Sequence, residues 1–431
     1  MNDPLEYLFG LERFGIKFGL ESIQILVESL GHPERAFRTV HVAGTNGKGS
    51  VTAMLDAALG AAGLRTGRYT SPHLLDLTER FVVDGRSVGR DALVEVVGHL
   101  RDLTEKLLAA GALHAQPTFF EVTTAAALEL FRRANVDIAT LEVGLGGRLD
   151  STNVITPVVA AITSIALDHE RYLGNTIAAI AGEKAGVIKP GVPVVIGRVS
   201  READAVIEAV ARERGATVVR AADGVVFERV RQPPGAAPRI RLQTPARDYG
   251  DVTIALRGSH QIDNAIVAVR ILELLDGKGI HVPTQAVVEG LMHVSWPGRL
   301  ESRVLSDGRE LIMDAAHNPA GAATLANYLG EAFDDKPPLV FAAMSDKDIR
   351  GMFDALLPRV SAVVVTRTSS SRSADPEVLG RHAVAVAPHA SVIVRPVLAD
   401  ALDSAWKLSP RIVVAGSIFL LADVMKHLAA S

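Results

Sequence analysis

The sequence contains no cysteine among its 431 residues. Disulfide bonds, thiolate zinc sites and cysteine nucleophiles are therefore excluded, and a reducing compartment is favoured. Long hydrophobic runs are also missing, since no apolar stretch approaches the roughly 18 residues of a membrane-spanning helix. The opening segment, M-N-D-P-L-E-Y, carries early acidic residues and no apolar core, so we do not expect a secretory signal. We expect a cytoplasmic protein that does not contact a membrane.

Aromatic residues and excess charge are scarce as well. Aromatic side chains make up 5% of the chain, and 45 basic against 49 acidic residues leave a formal net charge of −4. Because no basic field is present to attract nucleic acid, we do not expect a nucleic-acid partner. The chain is instead 48% apolar, with abundant Ala and Val, and its length suits two or three domains. This composition favours helices layered on a buried parallel sheet.

The first part of the chain alternates strand and helix patterns. Thr39–Ala43 is a short β-branched run, a glycine-rich segment follows at 44–50, and Val51–Ala62 has an Ala/Leu-rich helical pattern. Further apolar strands are predicted at 137–143, 158–165 and 192–197. Short alternating runs around a P-P-G-A-A-P turn indicate antiparallel hairpins between 216 and 257. The pattern predicts an α/β fold with a mainly parallel sheet and an antiparallel appendage.

A domain boundary is expected in H-V-S-W-P-G-R, where Pro297 and Gly298 interrupt the periodicity. Beyond it, strands are predicted at 311–314, 339–344, 362–366, 392–394 and 412–416. These strands indicate a second, smaller Rossmann-like unit. The predicted first domain, hinge and second domain comprise residues 1–294, 295–299 and 300–431. Ligands of such sheets bind beyond the carboxyl ends of the strands, so functional residues are sought there.

Residues 44–50, G-T-N-G-K-G-S, have the composition of a phosphate-binding loop. Glycines let backbone N–H groups approach phosphate oxygens, Lys48 adds a positive charge, and the following helix adds a favourable dipole. The spacing departs from G-x-x-x-x-G-K-[ST], because Val42 replaces its first glycine and Gly49 follows the lysine. The strand before it and the helix after it favour this assignment over a glycine-rich turn with a surface lysine. The residues predicted to bind phosphate are Gly47, Lys48, Gly49 and Ser50.

Glu142 ends a predicted buried strand in L-E-V, directly before G-L-G-G-R. If this strand neighbours the strand before the phosphate loop, the carboxylate faces the loop and suits the Mg²⁺ that accompanies ATP phosphates. The alternative is a solvated acid at a strand end, but an acid among apolar residues is costly to leave unpaired. The G-L-G-G at 144–147 lacks the full G-x-G-x-x-G dinucleotide motif, so it is interpreted as a tight turn.

The G-T-N-G-K-G-S segment resembles the phosphate loop of the Mur-ligase superfamily, in particular its folylpolyglutamate synthase branch. Further segments resemble that branch from residue 18 to about residue 420, so the resemblance covers nearly the whole chain. It implies a P-loop ATP-binding domain of the Mur-ligase type followed by a smaller Rossmann-like ligase domain. It also implies an ATP-dependent ligase that uses two Mg²⁺ ions.

Four residues are predicted to bind metal, one from its position at a strand end and three from the resemblance. They are Glu142, and then His169 in T-S-I-A-L-D-H, Ser71 in Y-T-S-P-H-L, and Lys184 in G-E-K-A-G-V-I-K-P-G. The last three also have plain interpretations: a packed or surface histidine, a cap before Pro72 and an ordinary helix lysine. The family pattern implies that CO₂ carbamylates Lys184, which turns a cation into an oxygen-donating anion for a second Mg²⁺. That reaction needs a neutral amine, and hence a lowered pKa.

The resemblance also implies contacts to ATP and to the reacting groups. Asn264, in G-S-H-Q-I-D-N-A, matches an adenine-side amide, and Arg299, in W-P-G-R-L-E, matches an arginine that reaches phosphate from the second domain. Asp314 and His317, in M-D-A-A-H-N-P-A-G, match a pair that contacts ribose and nucleotide. Asp314 also suits a cap for a helix starting near Pro319. The residues implied as catalytic are Lys48, Lys184, Arg299 and His317.

Three segments, F-G-L-E, T-F-F-E and L-D-S, resemble those that contact dihydropteroate in this family. The residues implied to bind this substrate are Phe18, Gly19, Leu20, Glu21, Thr118, Phe119, Phe120, Glu121, Leu149, Asp150 and Ser151. Phe119 and Phe120 suit stacking on a flat heterocycle, and core packing at a helix start is the alternative. Glu121 likewise suits either contact with the substrate or a structural role at the start of the helix.

The implied activity is ligation of L-glutamate to dihydropteroate and to the glutamate tail of reduced folates, through an acyl phosphate. The expected partners are small molecules, namely ATP, L-glutamate, dihydropteroate and reduced folates, and a monomer is expected. Alternatives are a folylpolyglutamate synthase alone, a peptidoglycan-precursor amino-acid ligase, and a P-loop kinase or switch. The precursor ligases carry an additional domain before the phosphate loop, for which we expect no room before Gly44. A kinase explains neither the second Rossmann-like unit nor His169 and Lys184.

Overall fold

The computed structural model describes residues 3–15 and 17–430. The described residues divide into two compact units. The first comprises the chain up to Glu228, Arg241–Val252 and Asp263–Val294, and the second comprises Arg229–Ile240, Thr253–Ile262 and the chain from Ser295 onward. The second unit thus includes two stretches from the region where the sequence predicts hairpins. The predicted hinge at 295–299 stays a prediction.

The first unit is built on a mixed, mostly parallel sheet. Its strands are β1 Arg38–Ala43, β2 Thr66–Tyr69, β3 Phe81–Val83, β4 Arg86–Ser87, β5 Ile138–Glu142, β6 Val159–Ile162, β7 Val194–Ile196 and β8 Val218–Arg220. They lie in the order β4-β3-β2-β5-β1-β6-β7-β8, with β3 and β4 antiparallel to their neighbours. β1, β5, β6 and β7 confirm the sequence prediction, because short apolar runs are buried as central strands. The prediction of hairpins from residue 216 onward is wrong for β8, because this strand pairs in parallel with β7.

Helices connect and cover these strands. They are α1 Pro4–Gly10, α2 Glu21–Ser29, α3 Lys48–Ala61, α4 Arg90–Ala109, α5 Phe119–Arg133, α6 Glu170–Leu173, α7 Ile177–Ala185, α8 Arg201–Glu213, α9 His260–Asp276 and α10 Thr284–His293. One apolar cluster includes residues of α1, α2, α4 and α5, and another includes residues of α7 and α8. The helix predicted from Val51 begins earlier, at Lys48, because Gly47 supplies an N-cap with φ 87°.

A small sheet forms the predicted antiparallel appendage. Its strands are β9 Val226–Val230, β10 Arg239–Gln243 and β11 Asp248–Thr253, in the order β11-β10-β9. Thr244 N donates to Arg247 O at 2.8 Å at one end of β10 and β11, and Ile254 N donates to Pro238 O at 2.8 Å at the other. This ladder is antiparallel, because residue numbers rise along one strand as they fall along the other.

The second unit has its own α/β sheet. Its strands are β12 Glu301–Val304, β13 Glu310–Asp314, β14 Leu339–Phe341, β15 Ala362–Val365, β16 Ser391–Val394 and β17 Arg411–Ala415. They lie in the order β12-β13-β17-β14-β15-β16, and β12 is antiparallel to β13 while the other pairs are parallel. The helices are α11 Pro319–Ala332, α12 Ile349–Leu356, α13 Pro376–Val386, α14 Leu398–Trp406 and α15 Ile418–Ala430. The predicted Rossmann-like unit is confirmed. Within the described residues, no helix is both long and apolar enough to cross a membrane.

Candidate active site

The phosphate loop, residues 44–50, joins the central strand β1 to α3. The segment after β6 holds its backbone, because Thr45 N donates to Ser164 O at 2.8 Å. Gly44 and Gly47 have φ angles of 146° and 87°, which favour glycine over any residue with a side chain. The loop therefore turns sharply into the N-terminus of α3, where backbone N–H groups and the helix dipole attract phosphate.

Gly47 also brings the loop against α9. A side chain at Gly47 would overlap the amide of Asn264, which lies in the first turns of that helix. Gly49 and Ser50, in the first turn of α3, are buried behind the loop. The structure therefore places the predicted ATP-binding residues of the first unit together.

Two lysines converge on one carbonyl oxygen of the phosphate loop. Lys48 Nζ donates to Gly44 O at 3.1 Å, and Lys184 Nζ donates to the same oxygen at 2.8 Å. Lys184 lies in the last turn of α7 and is buried. Burial, and then the charge of Lys48, lowers the pKa of Lys184 to about 7, although nearby carboxylates oppose the shift. A substantial share of the Lys184 amine is therefore neutral near that pH.

Glu142 lies at the carboxyl end of β5, beside the phosphate loop. It pairs in register with Val42, just before the loop, and its side chain is buried. The backbone N of Ser71, which follows β2, donates to Glu142 Oε2 at 3.3 Å. The structure therefore brings two predicted metal ligands, Ser71 and Glu142, to the ends of neighbouring parallel strands. Their carboxylate and hydroxyl oxygens are the donors that Mg²⁺ prefers.

His169 occupies the N-cap position of α6, beyond the loop that follows β6, with φ 53°. Its backbone N donates to Asp168 Oδ1 at 2.9 Å, and its Nε2 lies 3.9 Å from Asp168 Oδ2. In the part of the chain that the structure describes, no group of three or more His, Asp or Glu side chains is placed to hold a metal. Glu142 and His169 are therefore not brought into one such cluster. The metal set of Ser71, Glu142, His169 and Lys184 stays a prediction.

In the second unit, Asp314 ends β13 and holds two backbone segments. Its Oδ2 accepts from Leu300 N at 2.9 Å, and its Oδ1 accepts from Ala316 N at 2.9 Å. Burial raises the pKa of Asp314, and the charge of Arg299 opposes this rise. The alternative that Asp314 caps α11 is wrong, because Asn318 occupies the N-cap position of that helix.

Arg299 and His317 lie close enough to Asp314 for each to lower its pKa. His317 Nδ1 lies 2.9 Å from Ala315 O, so this nitrogen carries a proton and donates to the carbonyl. Burial, and then the charge of Arg299, lowers the pKa of His260 to about 4, which leaves that imidazole neutral at physiological pH. The structure therefore groups the predicted second-domain residues around the end of β13.

Thr118 and Glu121 form a capping box at the start of α5. Glu121 N donates to Thr118 Oγ1 at 3.2 Å, and Thr118 N donates to Glu121 Oε2 at 2.7 Å. Thr118 Oγ1 also donates to Glu121 Oε2 at 2.8 Å, and both side chains are buried. Of the two interpretations of Glu121, these contacts support the structural one.

We expect Thr118→Ala to lower the free energy of unfolding by about 1 kcal/mol, because α5 loses its N-cap acceptor. Thr118→Ser keeps the hydroxyl and should stay close to the wild type. Urea denaturation of the two variants measures the difference. Equal stability of the alanine and serine variants would show that the cap does not stabilise α5.

Phe119 and Phe120 lie in aromatic surroundings that differ. The Phe119 ring stacks on Phe9 with centroids 6.2 Å apart, and the guanidinium of Arg80 lies 5.1 Å from its centroid. The Phe120 ring lies 6.0 Å from that of Tyr69, which is fully buried. Both rings are partly buried and pack against the same apolar cluster, and Phe119 has a cation–π partner in addition. Phe9 and Arg80 were not among the candidate site residues predicted from the sequence, because no local pattern marks either residue.

The F-G-L-E segment leads into α2, and the L-D-S segment leads into a short 3-10 helix, both in the first unit. Phe18 is 45% exposed, and its ring lies 6.0 Å from that of Tyr172, a residue that sequence analysis missed. Gly19 and Leu20 precede α2, and Glu21 is its first residue. The L-D-S residues Leu149, Asp150 and Ser151 lie between β5 and β6.

Two family models match the chain in succession. The Mur ligase middle domain matches residues 42–272, and the glutamate ligase domain of Mur ligases matches residues 298–418. The chain belongs to the Mur ligase family. The dihydrofolate synthase/folylpolyglutamate synthase of Bacillus subtilis is 37% identical over 358 residues, which cover 82% of this chain and 82% of that protein.

Further comparisons extend the similarity of this Mur ligase to nearly the whole chain. The structure of Mycobacterium tuberculosis folylpolyglutamate synthase complexed with ADP and AMPPCP matches with a TM-score of 0.90 and 36% identity, covering 99% of each chain. The probable bifunctional folylpolyglutamate synthase/dihydropteroate synthase of Haloferax volcanii is 38% identical over 385 residues. This match covers 88% of this chain but 44% of that relative, which is a longer protein. The resemblance to the folylpolyglutamate synthase branch and the predicted fold are confirmed.

The Mur ligase holds its phosphate loop with residues that sequence analysis did not select. Thr163 Oγ1 donates to Asn46 O at 2.6 Å, and Ser164 Oγ donates to the same oxygen at 2.9 Å. Both hydroxyls belong to T-S-I-A-L-D-H, a motif that was used only for His169. The adjacent Thr-Ser pair at the end of a predicted strand was the available signal, since hydroxyls at such ends often bind backbone groups.

Proposed function

We propose that this Mur ligase joins L-glutamate to dihydropteroate and to the glutamate tail of reduced folates, using ATP. The observation that carries the proposal is the convergence of Lys48 and Lys184 on Gly44 O, in a chain that matches both Mur ligase domains. Folates are the proposed acceptors because a relative named dihydrofolate synthase/folylpolyglutamate synthase matches most of both chains. We include in the proposal a cytoplasmic location and a monomeric state.

In the proposed reaction, a carboxylate oxygen of the folate attacks the γ-phosphorus of ATP, which gives an acyl phosphate and ADP. The amine of L-glutamate then attacks the acyl carbon, phosphate leaves, and an amide and a proton are released. In the first unit, Lys48 and the loop amides stabilise charge on the transferring phosphate. The roles in ATP binding and catalysis that the family resemblance implies for Asn264, Arg299, Asp314 and His317 stay predictions.

The first unit has side chains that fit Mg²⁺. The Glu142 carboxylate and the Ser71 hydroxyl supply oxygen ligands at the ends of neighbouring parallel strands, and Mg²⁺ prefers such hard oxygen ligands. We propose that Ser71, Glu142, His169 and carbamylated Lys184 hold two Mg²⁺ ions. When bound, such ions neutralise phosphate charge. The low pKa of Lys184 supports the carbamylation, because only a neutral amine reacts with CO₂.

We expect Glu142→Gln and His169→Ala each to raise the Mg²⁺ concentration for half-maximal ligation about tenfold or more, because each removes a proposed ligand. A Mg²⁺ titration at saturating ATP measures the shift. Glu129→Gln is the matched control for Glu142, since Glu129 is a buried acid whose partners are Arg132 and Arg133. Unchanged titration curves for both test variants would place the metal elsewhere.

One assay tests the proposed activity. Purified protein receives ATP, Mg²⁺ and L-glutamate with either dihydropteroate or tetrahydrofolate, and mass spectrometry identifies the product. Glutamylation of both acceptors is the expected result. Glutamylation of tetrahydrofolate alone would reduce the proposal to folylpolyglutamate synthase. ATP hydrolysis without ligation of either acceptor would overturn it in favour of a P-loop switch.

A further inference from the structure

A fully buried histidine lies in the central strand of the first sheet, close to the phosphate loop but outside the proposed chemistry. His41 belongs to β1, and its register partners on the flanking strands are Leu141 and Ala160. Burial, and then the charge of Lys189, lowers the pKa of His41 to about 3, so its imidazole is neutral. A neutral imidazole carries one N–H donor and one acceptor nitrogen. Placing such a group among apolar strands is costly unless it makes a hydrogen bond.

The side chain of His41 is hydrogen-bonded to Thr152, at the end of the loop that follows Glu142. His41 Nε2 lies 2.8 Å from Thr152 Oγ1, and that hydroxyl is also hydrogen-bonded to Asp150 Oδ1. His41 Nδ1 is buried and has no hydrogen-bond partner among the described residues. The three side chains thus form a buried chain from β1 to the loop.

Which atom donates in each of these hydrogen bonds follows from the number of protons that each side chain carries. Asp150 Oδ1 accepts from Thr152 N at 3.0 Å, and its Oδ2 accepts from Leu145 N at 2.8 Å. Burial raises the pKa of Asp150, and the hydrogen bonds from Thr152, Leu145 and Gly144 oppose this rise. Since donors reach both oxygens, Asp150 is assigned as a carboxylate that accepts from all of them. The single proton of the Thr152 hydroxyl therefore points to Asp150, and the hydroxyl can only accept from the imidazole. His41 must carry its proton on Nε2.

We propose that His41 is a positioning residue for the acceptor substrate, acting through Thr152 and Asp150 on the loop at 144–151. This inference rests on the proposed function, since the loop contains the L-D-S segment assigned to dihydropteroate. Both oxygens of Asp150 bind the protein's own backbone, so Asp150 shapes the loop from within. The chain of bonds ties that shape to the strand that leads into the phosphate loop, and thereby aligns acceptor and ATP.

Replacing His41 with Asn or with Gln tests the role of the Nε2 donor, because the two amide side chains differ in reach. The Gln side chain places its amide nitrogen near the position of Nε2, whereas Asn places it near Nδ1, where Thr152 is out of reach. We expect His41→Asn to raise the KM for dihydropteroate about tenfold, as loss of a buried hydrogen bond predicts, while the KM for ATP changes little. His41→Gln should keep the KM for dihydropteroate close to that of the wild type.

Thr152 supplies a second test that leaves His41 intact. Thr152→Val removes one hydroxyl at nearly constant volume and should also raise the KM for dihydropteroate about tenfold, whereas Thr152→Ser should not. The double variant His41→Asn/Thr152→Val should be no worse than either single variant, because one chain of bonds is broken in all three. If His41→Asn does not fold, Thr152→Val decides the question alone.

The outcomes separate this inference from the proposed function. Unchanged KM for dihydropteroate in Thr152→Val, with an active wild type, would overturn the positioning role and leave the proposed function standing. A wild type that ligates glutamate to neither acceptor would overturn the proposed function and the inference with it. Nitrogen NMR of histidine-labelled full-length protein adds a readout that needs no substrate. It should show His41 protonated on Nε2, and protonation on Nδ1 would reverse the chain and refute the inference.

Discussion

Lys48→Ala is expected to lower kcat for ligation by about a thousandfold or more, since a preorganised charge at a transferring phosphate contributes on this scale. Lys48 Nζ donates to Gly44 O and Thr45 O at 3.1 and 3.2 Å, so its ammonium lies inside the phosphate loop. Alanine removes the charge and leaves the glycine geometry of the loop in place. Steady-state kinetics at saturating ATP, Mg²⁺ and both substrates measure the loss.

Lys189→Ala is the matched control for this variant. Lys189 Nζ also donates to a backbone carbonyl, Asn153 O, at 2.7 Å, and it lies outside the phosphate loop. Its loss should leave kcat close to the wild-type value. Thermal melts of both variants show whether a loss of activity comes from the missing charge or from unfolding of the protein. Near-normal turnover by a folded Lys48→Ala would remove the phosphate loop from the proposed mechanism.

Lys184→Ala is expected to lower kcat by about a hundredfold or more, on the scale found when a group that tunes a metal site is lost. Lys184 is 5% exposed, and its Nζ lies 2.8 Å from Gly44 O. In the proposed enzyme the neutral amine adds to CO₂ and releases a proton, giving a carbamate that binds metal. Lys184→Glu should keep part of the activity, because it supplies an oxygen anion on a shorter stem. Bicarbonate or acetate should partly rescue the alanine variant.

The pH dependence gives a second measurement on Lys184. Its pKa of about 7 is lowered by burial and then by the charge of Lys48. The neutral amine therefore gains population as the pH rises through that value, and less of it exists below. At constant dissolved CO₂, the carbamate signal in carbon NMR should increase with rising pH in the wild type and be absent in Lys184→Ala. A bare ammonium in a crystal structure with ATP and Mg²⁺ bound would contradict the carbamate.

Local sequence patterns predicted much of the fold because strand and helix propensities act over a few residues. The apolar runs around Val42 and Leu141 became buried strands, and G-T-N-G-K-G-S became a strand-to-helix turn. The pattern failed at Val218–Arg220, where alternation typical of a hairpin belongs to an edge strand of the main sheet. Alternation predicts that one face is exposed, and edge strands and hairpins share this property.

The sequence by itself determined the chemistry that this protein carries: a glycine loop with Lys48, an acid at the end of an apolar strand, and two α/β units in succession. Only the tertiary structure decided which of these groups meet. Lys184 reaches the carbonyl of Gly44, and His41 reaches Thr152, across long stretches of chain. Such contacts depend on the order β2-β5-β1-β6 and on how helices dock against the sheet. Hydrophobic periodicity specifies which face of an element is buried, but it carries no information about which neighbour covers that face.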